Sequence, residues 1–321
     1  MRIEGRRRMY LPLALAVALL FRCAVTAGAQ AGPAGGGEPF RLKLPVNEVV
    51  LTFHAADEHG LPVNDLKLDE VRVLDNGHEP RRTVAFDSLL DRPVRAGIML
   101  DTSESMQRAL ARSKAIAEQF AGKLFRQSSD QAFVMDFGFS SEMAQVWTPE
   151  PARITRAIRN VKLKGMNPLE GTDIFGTIFR ACFYGFDKAN PTVTGNFLLL
   201  FSDGEDNAGQ VTMEEALGAC QSSNVAIYAF RVRSDNVDST GPRTLARLAE
   251  KTGGRVFDAN ESGQAVWDDL KTIEGEMRNQ YRLVYVPAEL KPDGSFHRIE
   301  LQFPDRVKRF EVRTGYYAPG Q

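Results

Sequence analysis

Three oxygen-bearing side chains, those of Asp101, Ser103 and Ser105, alternate along one short segment. Residues 96–100 directly before them are apolar, and such a run predicts a buried strand that ends where the polar residues begin. Alternate side chains of extended backbone point the same way, so the three oxygens can converge on one point. Because this segment holds no histidine or cysteine, its chemistry favours a hard divalent cation, Mg²⁺ first, with Mn²⁺ or Ca²⁺ as alternatives.

Two other segments offer oxygen ligands next to predicted strands or helices. Residues 196–201 are almost free of polar side chains, which predicts a central parallel strand, and Asp203 follows its end. Thr172 lies in a glycine-containing loop directly before a helix predicted over residues 174–186. Ligands of open α/β sheets bind at the carboxyl ends of the strands, so Thr172 and Asp203 can join the first three residues.

A simpler interpretation of the first segment is a helix N-cap. Asp and Ser are both favoured at this position, so Asp101 and Ser103 could serve only to begin a helix predicted over residues 106–126. The full set of residues favours metal binding, because capping gives no reason for Thr172 and Asp203 to follow in order on matching elements.

The pattern of apolar runs predicts three structural regions after the N-terminus. From residue 93 to 280, strand-like runs alternate with helix-like runs, which predicts an α/β fold with a doubly wound, mostly parallel sheet and helices on both faces. Residues 46–90 predict a small β-rich module, in which Asn76-Gly77 indicates a hairpin. Residues 281–321 hold three strand-like runs and predict a C-terminal β-strand extension.

The N-terminus has the layout of an export signal. Residues 1–29 combine a basic start, an apolar run over residues 11–20 and small residues before Gln30. The apolar run is too short to span a bilayer comfortably, so we predict cleavage, no membrane insertion afterwards, and a periplasmic or secreted protein. The pattern leaves general secretion and twin-arginine export open. Residues 30–45 are rich in glycine and predict a flexible linker.

Composition bears on three further possibilities: nucleic-acid binding, a disulfide and a zinc site. A formal net charge of −1 gives no electrostatic footprint for nucleic acid. After signal cleavage two cysteines remain, Cys182 and Cys220, and they could form a disulfide in an oxidising compartment or stay as buried thiols. The four histidines show no zinc-binding spacing and are predicted at the surface or in turns. They are His54, His59, His78 and His297.

The ordered set of oxygen ligands resembles the metal-ion-dependent adhesion site of the von Willebrand factor A family. That site has an Asp-x-Ser-x-Ser loop, a distant Thr and a later Asp-Gly, and each position is filled here within residues 93–280. The resemblance implies that Ser103 and Ser105 bind the ion directly, while Asp101 acts largely through water. It also implies that Thr172 and Asp203 exchange direct and water-mediated roles.

A narrower resemblance concerns the ends of the chain. The residues 315–319, the pair Gln280-Tyr281 and the β-rich region before the main domain are similar to exported bacterial proteins described as VWFA-related. This similarity implies an architecture and no particular activity.

The function predicted from these observations is protein binding without catalysis. An exported module of this kind would grip an Asp or Glu carboxylate of a partner protein through the divalent ion. A metal-dependent hydrolase and a metal-free envelope scaffold are the alternatives. No Gly-x-Ser-x-Gly, dinucleotide-binding or P-loop motif accompanies the site, which speaks against the common enzyme classes.

Overall fold

The computed structural model describes residues 48–90, 92–164, 171–186, 195–233, 239–291 and 293–318. The predicted signal segment 1–29 and linker 30–45 lie outside these residues. In the described ranges, no helix has both the length and the apolar character needed to cross a membrane.

The described strands, in chain order, are β1 Val49–Ala56, β2 Arg72–Asp75, β3 Arg82–Ser88, β4 Val94–Asp101, β5 Gln131–Phe137, β6 Ser141–Thr148, β7 Gly195–Ser202, β8 Val225–Arg231, β9 Val256–Asp258, β10 Gln280–Val286, β11 Phe296–Gln302, β12 Arg309–Val312 and β13 Gly315–Tyr317. The described α-helices are α1 Leu110–Leu124, α2 Pro151–Asn160, α3 Ile174–Arg180, α4 Met213–Ser222, α5 Gly241–Thr252 and α6 Gly263–Arg278.

A six-stranded sheet forms the centre of the structure, in the order β6-β5-β4-β7-β8-β9. All neighbouring pairs are parallel except β5 and β6, so the predicted doubly wound, mostly parallel sheet is confirmed. The chain builds outward from β4 in one direction and from β7 in the other. The crevice between the carboxyl ends of β4 and β7 is therefore the topological switch point, the usual ligand site of such sheets.

Helices cover both faces of this sheet. Helices α1, α2 and α6 pack on one face, and α3, α4 and α5 pack on the other. Because both faces are covered, every residue of β7 is buried, and a strand in that position has no polar face to expose. This explains why residues 196–201 are almost continuously apolar.

The flanking β regions form two antiparallel sheets, ordered β12-β1-β10-β3 and β13-β11-β2. Each sheet combines strands from before and after the six-stranded sheet in the chain, and their apolar faces share one core. The N-terminal β-rich region and the C-terminal extension, which the sequence suggested as separate parts, are thus joined by backbone pairing.

The predicted hairpin at Asn76-Gly77 is present only as a tight turn, across which Asp75 and His78 exchange two backbone hydrogen bonds. Asn76 and Gly77 adopt the positive φ of a tight turn, 49° and 79°. The strands on either side nevertheless diverge, because β2 pairs with β11 whereas β3 pairs with β10. The local turn signal was correct, and the partners of the two strands were set by distant parts of the chain.

Two of the four histidines are buried, which corrects the expectation that all lie at the surface or in turns. The Nδ1 of His54 lies 2.8 Å from the carbonyl oxygen of Asn279, and burial lowers the pKa of His54 below its usual value. The Nδ1 of His297 lies 2.7 Å from Asp75, whose other carboxylate oxygen accepts from Tyr285 and Tyr316. These contacts satisfy polar groups inside the flanking sheets.

The question left open for the cysteines is answered by a disulfide between Cys182 and Cys220, with their Cα atoms 4.8 Å apart. Cys182 lies in a single π-helical turn that continues α3, and Cys220 lies in α4. The bond therefore ties together two helices on the same face of the sheet.

We predict that replacing both cysteines by alanine lowers the free energy of unfolding. The disulfide closes a loop with a sequence separation of 38 residues. Loop-closure entropy gives it a contribution of about 4 kcal/mol. Urea denaturation of wild type and the double variant measures the difference. Reductant should weaken wild type and leave the variant unchanged, and equal midpoints for reduced and oxidised wild type would contradict the prediction.

Candidate metal centre

Asp101 is the last residue of β4 and is fully buried, with 0% exposure. The register of β4 with β7 pairs Leu100 with Phe201, which brings the next residue, Ser202, beside Asp101. The Ser202 hydroxyl donates to Asp101 Oδ2 at 2.6 Å. The carboxylate is consequently fixed across the switch point of the sheet.

The loop after β4 turns back on this carboxylate. Ser103 donates to Asp101 Oδ1 through its backbone N–H at 2.9 Å and its hydroxyl at 2.6 Å. The Ser103 and Ser105 hydroxyl oxygens are 3.1 Å apart. Between these residues, Thr102 donates through both its N–H and its hydroxyl to the Phe137 carbonyl, which anchors the loop to β5. Three of the predicted ligands therefore converge.

The convergence differs in part from the one predicted. Asp101 ends a strand and Ser103 is extended, as expected, but Glu104–Met106 form a 3₁₀ turn that brings Ser105 back toward Ser103. The capping interpretation is wrong as well. Ser103 makes no side-chain cap contact to this turn, and α1 begins only after Ala109, which has no side-chain cap either.

Asp203 follows β7 and is 3% exposed. The next residue, Gly204, has a φ of +86°, and a Cβ there would lie 2.4 Å from the Gly241 carbonyl oxygen at the start of α5. Only glycine fits both demands. The Asp-Gly pair thus lets the chain turn sharply after β7 while Asp203 stays beside Asp101, whose carboxyl pKa it helps to raise.

Thr172 reaches the site on a third loop and is 6% exposed. The backbone N–H of the next residue, Asp173, donates to the Gly138 carbonyl at 2.9 Å. Gly138 in turn lies against Ser103, since a Cβ on it would be 3.7 Å from the Ser103 nitrogen. The structure therefore links the Thr172 loop to the other ligands through backbone contacts of its neighbours. Asp173 itself caps α3, because its carboxylate accepts from the Gly176 N–H at 2.9 Å.

Three residues that the sequence did not single out as site residues hold these loops together. Asn207 accepts from the Thr172 N–H at 2.6 Å and donates through its own N–H to the Thr172 carbonyl at 3.0 Å. Asp206 accepts from two N–H groups at the start of α3, and burial raises its pKa. With Ser202, they connect segments far apart in sequence, so no local pattern marks them.

Electrostatics at the site are unfavourable to the bare protein. Burial raises the pKa of Asp101 to about 6, and the nearby Asp203 charge adds to this, while hydrogen bonds from Ser103 and Ser202 act in the opposite direction. In the described part of the chain, neither carboxylate forms an ion pair with a lysine or arginine. Two buried carboxylates without a cationic partner are costly, because the protein interior solvates charge poorly.

A divalent cation fits this donor set. The residues offer two carboxylates and three hydroxyls, all hard oxygen ligands, and the two formal negative charges match one divalent ion. Among the described residues, no group of three or more His, Cys, Asp or Glu side chains is arranged to hold a metal. An ion here would therefore depend on hydroxyls and water for its remaining ligands.

The comparison with protein families agrees with this architecture. Residues 97–275, more than half of the 321, match the family model described as von Willebrand factor type A domain. The chain belongs to this family. The predicted membership and fold class are confirmed, and many von Willebrand factor type A domains carry a metal-ion-dependent adhesion site. A search of curated proteins finds no match.

Several solved structures are similar to this chain at low sequence identity. The conserved hypothetical protein BatB from Bacteroides thetaiotaomicron is 17% identical with a TM-score of 0.46, over 56% of this chain and 97% of that one. A von Willebrand factor type A protein from Catenulispora acidiphila is 13% identical with a TM-score of 0.46, over 85% and 74%. Proximal thread matrix protein 1 of the mussel byssus, with a zinc-occupied MIDAS motif, is 16% identical with a TM-score of 0.46, over 58% and 48%.

We predict that Asn207→Ala loosens the Thr172 loop of this von Willebrand factor type A domain. The variant leaves the Thr172 N–H without its acceptor, which should lower the free energy of unfolding by about 1–2 kcal/mol. Amide hydrogen exchange over residues 171–173 should become faster. Asn64→Ala serves as the control, because Asn64 is exposed and its side-chain amide donates to Asn279 at the end of α6, not to the Thr172 loop. Unchanged exchange at residues 171–173 would contradict the prediction.

Proposed function

We propose that this protein binds a divalent cation, Mg²⁺ foremost, at Asp101, Ser103, Ser105, Thr172 and Asp203, and uses it to grip a carboxylate of a partner protein. The observation that carries the proposal is the buried pair Asp101 and Asp203, which has no cationic side-chain partner in the described part of the chain. A bound ion supplies the missing positive charge.

The hydroxyl network suits the ion. Ser103 directs its proton at Asp101, so its oxygen lone pairs remain available for another contact. Mg²⁺ takes six oxygen ligands and keeps water where a protein leaves a gap. Ser105 is exposed, which makes the outer side of the site accessible to another molecule.

A partner carboxylate follows from the charge balance. Two carboxylates neutralise a divalent ion, and the remaining protein ligands are neutral, so a third carboxylate from outside can replace water at an accessible position. In a partly desolvated interface such a charge-assisted contact contributes specificity as well as affinity.

Binding is proposed in preference to hydrolysis. A metal-activated water is commonly assisted by a general base, most often histidine. All four histidines lie outside residues 93–280. The Ser103 and Ser202 hydroxyls both donate to Asp101, and this domain holds no histidine that could activate them.

Export to the periplasm or beyond the cell is part of the proposal. The composition of residues 1–29 supports it. The disulfide between Cys182 and Cys220 supports it independently, because such bonds persist mainly in oxidising compartments.

We predict that Mg²⁺ stabilises protein from which metal has been stripped, and that Asp203→Asn loses this response. The variant removes one charge at nearly constant shape. At a hundredfold excess of ion over Kd, the gain in unfolding free energy should be about 2.7 kcal/mol for wild type. Calorimetric titration and thermal unfolding measure affinity and stability. Asp268→Asn is the control, since Asp268 lies exposed on α6. Equal Mg²⁺ affinity in wild type and Asp203→Asn would contradict the proposal that Asp203 is a metal ligand.

We also predict that capture of a partner depends on the ion. Immobilised wild type should retain an envelope protein that elutes with chelator, and Asp203→Asn should retain much less of it. The control Asp268→Asn should behave as wild type. Replacing acidic residues of the captured protein one at a time should identify the carboxylate that the ion holds. Capture that survives chelation would favour the metal-free scaffold instead.

A further inference from the structure

Helix α2 and the residues after it carry an excess of positive charge. Residues 150–164 hold five cationic side chains and one carboxylate, whereas the whole chain has a formal net charge of −1. From Arg153 to Lys162, every exposed side chain except that of Asn160 is cationic. The name cationic patch is used for these four exposed residues, which are Arg153, Arg156, Arg159 and Lys162.

Little of this positive charge is neutralised within the protein. The carboxylate of Glu150 lies 3.5 Å from Arg153, and that of Glu118 on α1 lies 2.7 Å from Arg159. Both arginine side chains are more than half exposed, at 53% and 67%, and ion pairs at an exposed surface are weak. The other two members of the patch form no ion pair within the described part of the chain. The patch therefore presents positive charge that a ligand can use.

The arrangement of these charges is unfavourable for the helix itself. Arg153, Arg156 and Arg159 are spaced three residues apart, which places like charges side by side on the helix surface. Arg153 also lies in the first turn, near the positive end of the helix dipole, where acidic residues are favoured. Helix α6, by contrast, pairs Asp268 with Lys271 at the same spacing. Helix stability does not explain the cationic side chains of α2, so binding is the better explanation.

The patch ends beside the candidate metal centre. The backbone N–H of Lys164 donates at 2.9 Å to the carbonyl of Thr102, in the loop that carries three of the proposed metal ligands. Lys114, near the start of α1, donates to the carbonyls of Arg159 and Val161 at 2.6 Å and 2.9 Å. These contacts fix the carboxyl end of α2 next to the metal loop.

We propose that the cationic patch binds a run of acidic residues on the same partner protein whose carboxylate the ion holds. This inference rests on the proposed metal function and specifies the partner as an acidic segment, not a single carboxylate. One Asp or Glu of the segment completes the ligands of the ion. Carboxylates further along it contact the guanidinium groups of Arg153 and Arg156, whose planar shape matches a carboxylate.

The dimensions agree with an extended segment. Helix α2 has 10 residues, so it is about 15 Å long. Extended backbone rises about 3.3 Å per residue, so a segment of eight residues spans about 26 Å. Such a segment reaches from the metal centre along the whole of α2.

An anionic membrane is the other class of ligand that basic helices bind. Helices that lie on membranes insert apolar side chains such as Trp, Phe or Leu next to their cationic residues. The exposed residues of α2 are Pro151, Ala152, Asn160 and the three arginines, so this helix exposes no large apolar side chain. The observations therefore favour an acidic protein segment.

The probes for the test are two capped peptides of eight residues, one with four glutamates alternating with glycine and one with a single glutamate among glycines. Each is titrated by calorimetry into the full mature chain, with saturating Mg²⁺ and about 0.01 M salt. The four-glutamate peptide should bind at least about twentyfold more tightly. This preference should shrink at about 0.15 M salt, because the screening length falls from about 30 Å to about 8 Å.

The variant Arg153→Gln/Arg156→Gln/Lys162→Gln tests the location and leaves the pair of Arg159 with Glu118 in place. It should still bind Mg²⁺. Its preference for the four-glutamate peptide should fall to about fourfold, the statistical advantage of four equivalent carboxylates at the ion.

The matched control is Arg72→Gln/Lys291→Gln/Arg298→Gln, which removes three exposed positive charges from the flanking β regions. Its net charge equals that of the patch variant, so a general effect of charge would appear in both. The control should keep the preference of wild type for the four-glutamate peptide.

Two results would overturn the proposal: a preference of about fourfold or less in wild type, or the same preference in wild type and the patch variant. Binding of wild type, but not of the patch variant, to phosphatidylglycerol vesicles would then identify an anionic membrane as the ligand instead. These results leave the metal site intact. Absence of Mg²⁺ binding by wild type would overturn the metal site, and this inference with it.

Discussion

Negative charge buried at the end of β4 is the constraint around which the six-stranded domain is arranged. Asp101 is fully buried, and Asp203 lies nearby with 3% exposure. Solvating two such charges requires donors or a cation, since the interior does it poorly. The protein supplies hydroxyls and N–H groups from Ser103 and Ser202. These are neutral donors, so they orient the carboxylate without cancelling its charge, and in the proposed function an ion cancels it.

The topology of the sheet explains why these charges meet at all. Strands β4 and β7 are neighbours, although Asp101 and Asp203 are about a hundred residues apart in sequence. Both strands are buried on both faces, so their side chains can face solvent or a ligand only beyond their ends. Polar residues placed there are confined to the switch point, and the loops that carry them must turn sharply, as the positive φ of Gly204 shows.

Features that depend on neighbouring residues could be predicted from the sequence, whereas contacts between distant segments could not. Asp101, Thr172 and Asp203 could be predicted as site residues because each follows or precedes a strand or helix with a clear hydrophobic pattern. The contribution of Asn207 to the site could not be predicted, because it depends on a hydrogen bond with Thr172, 35 residues away in the sequence. The turn at Asn76 was predicted correctly, but its strands pair with segments more than 190 residues away, and no local signal encodes that choice.

The flanking sheets occupy the opposite edge of the parallel sheet from the candidate metal centre. Arg313 bonds to the carbonyl of Gln221, which lies near the end of α4 and shortly before β8 begins. Gly253, which ends α5, lies so close to Val312 that a Cβ on it would meet the Val312 carbonyl carbon at 3.1 Å. Both contacts are at the amino ends of the following strands, whereas Asp101 and Asp203 are at the carboxyl ends. The contacts that unite the chain therefore lie away from the carboxyl edge, where we propose that an ion and a partner bind.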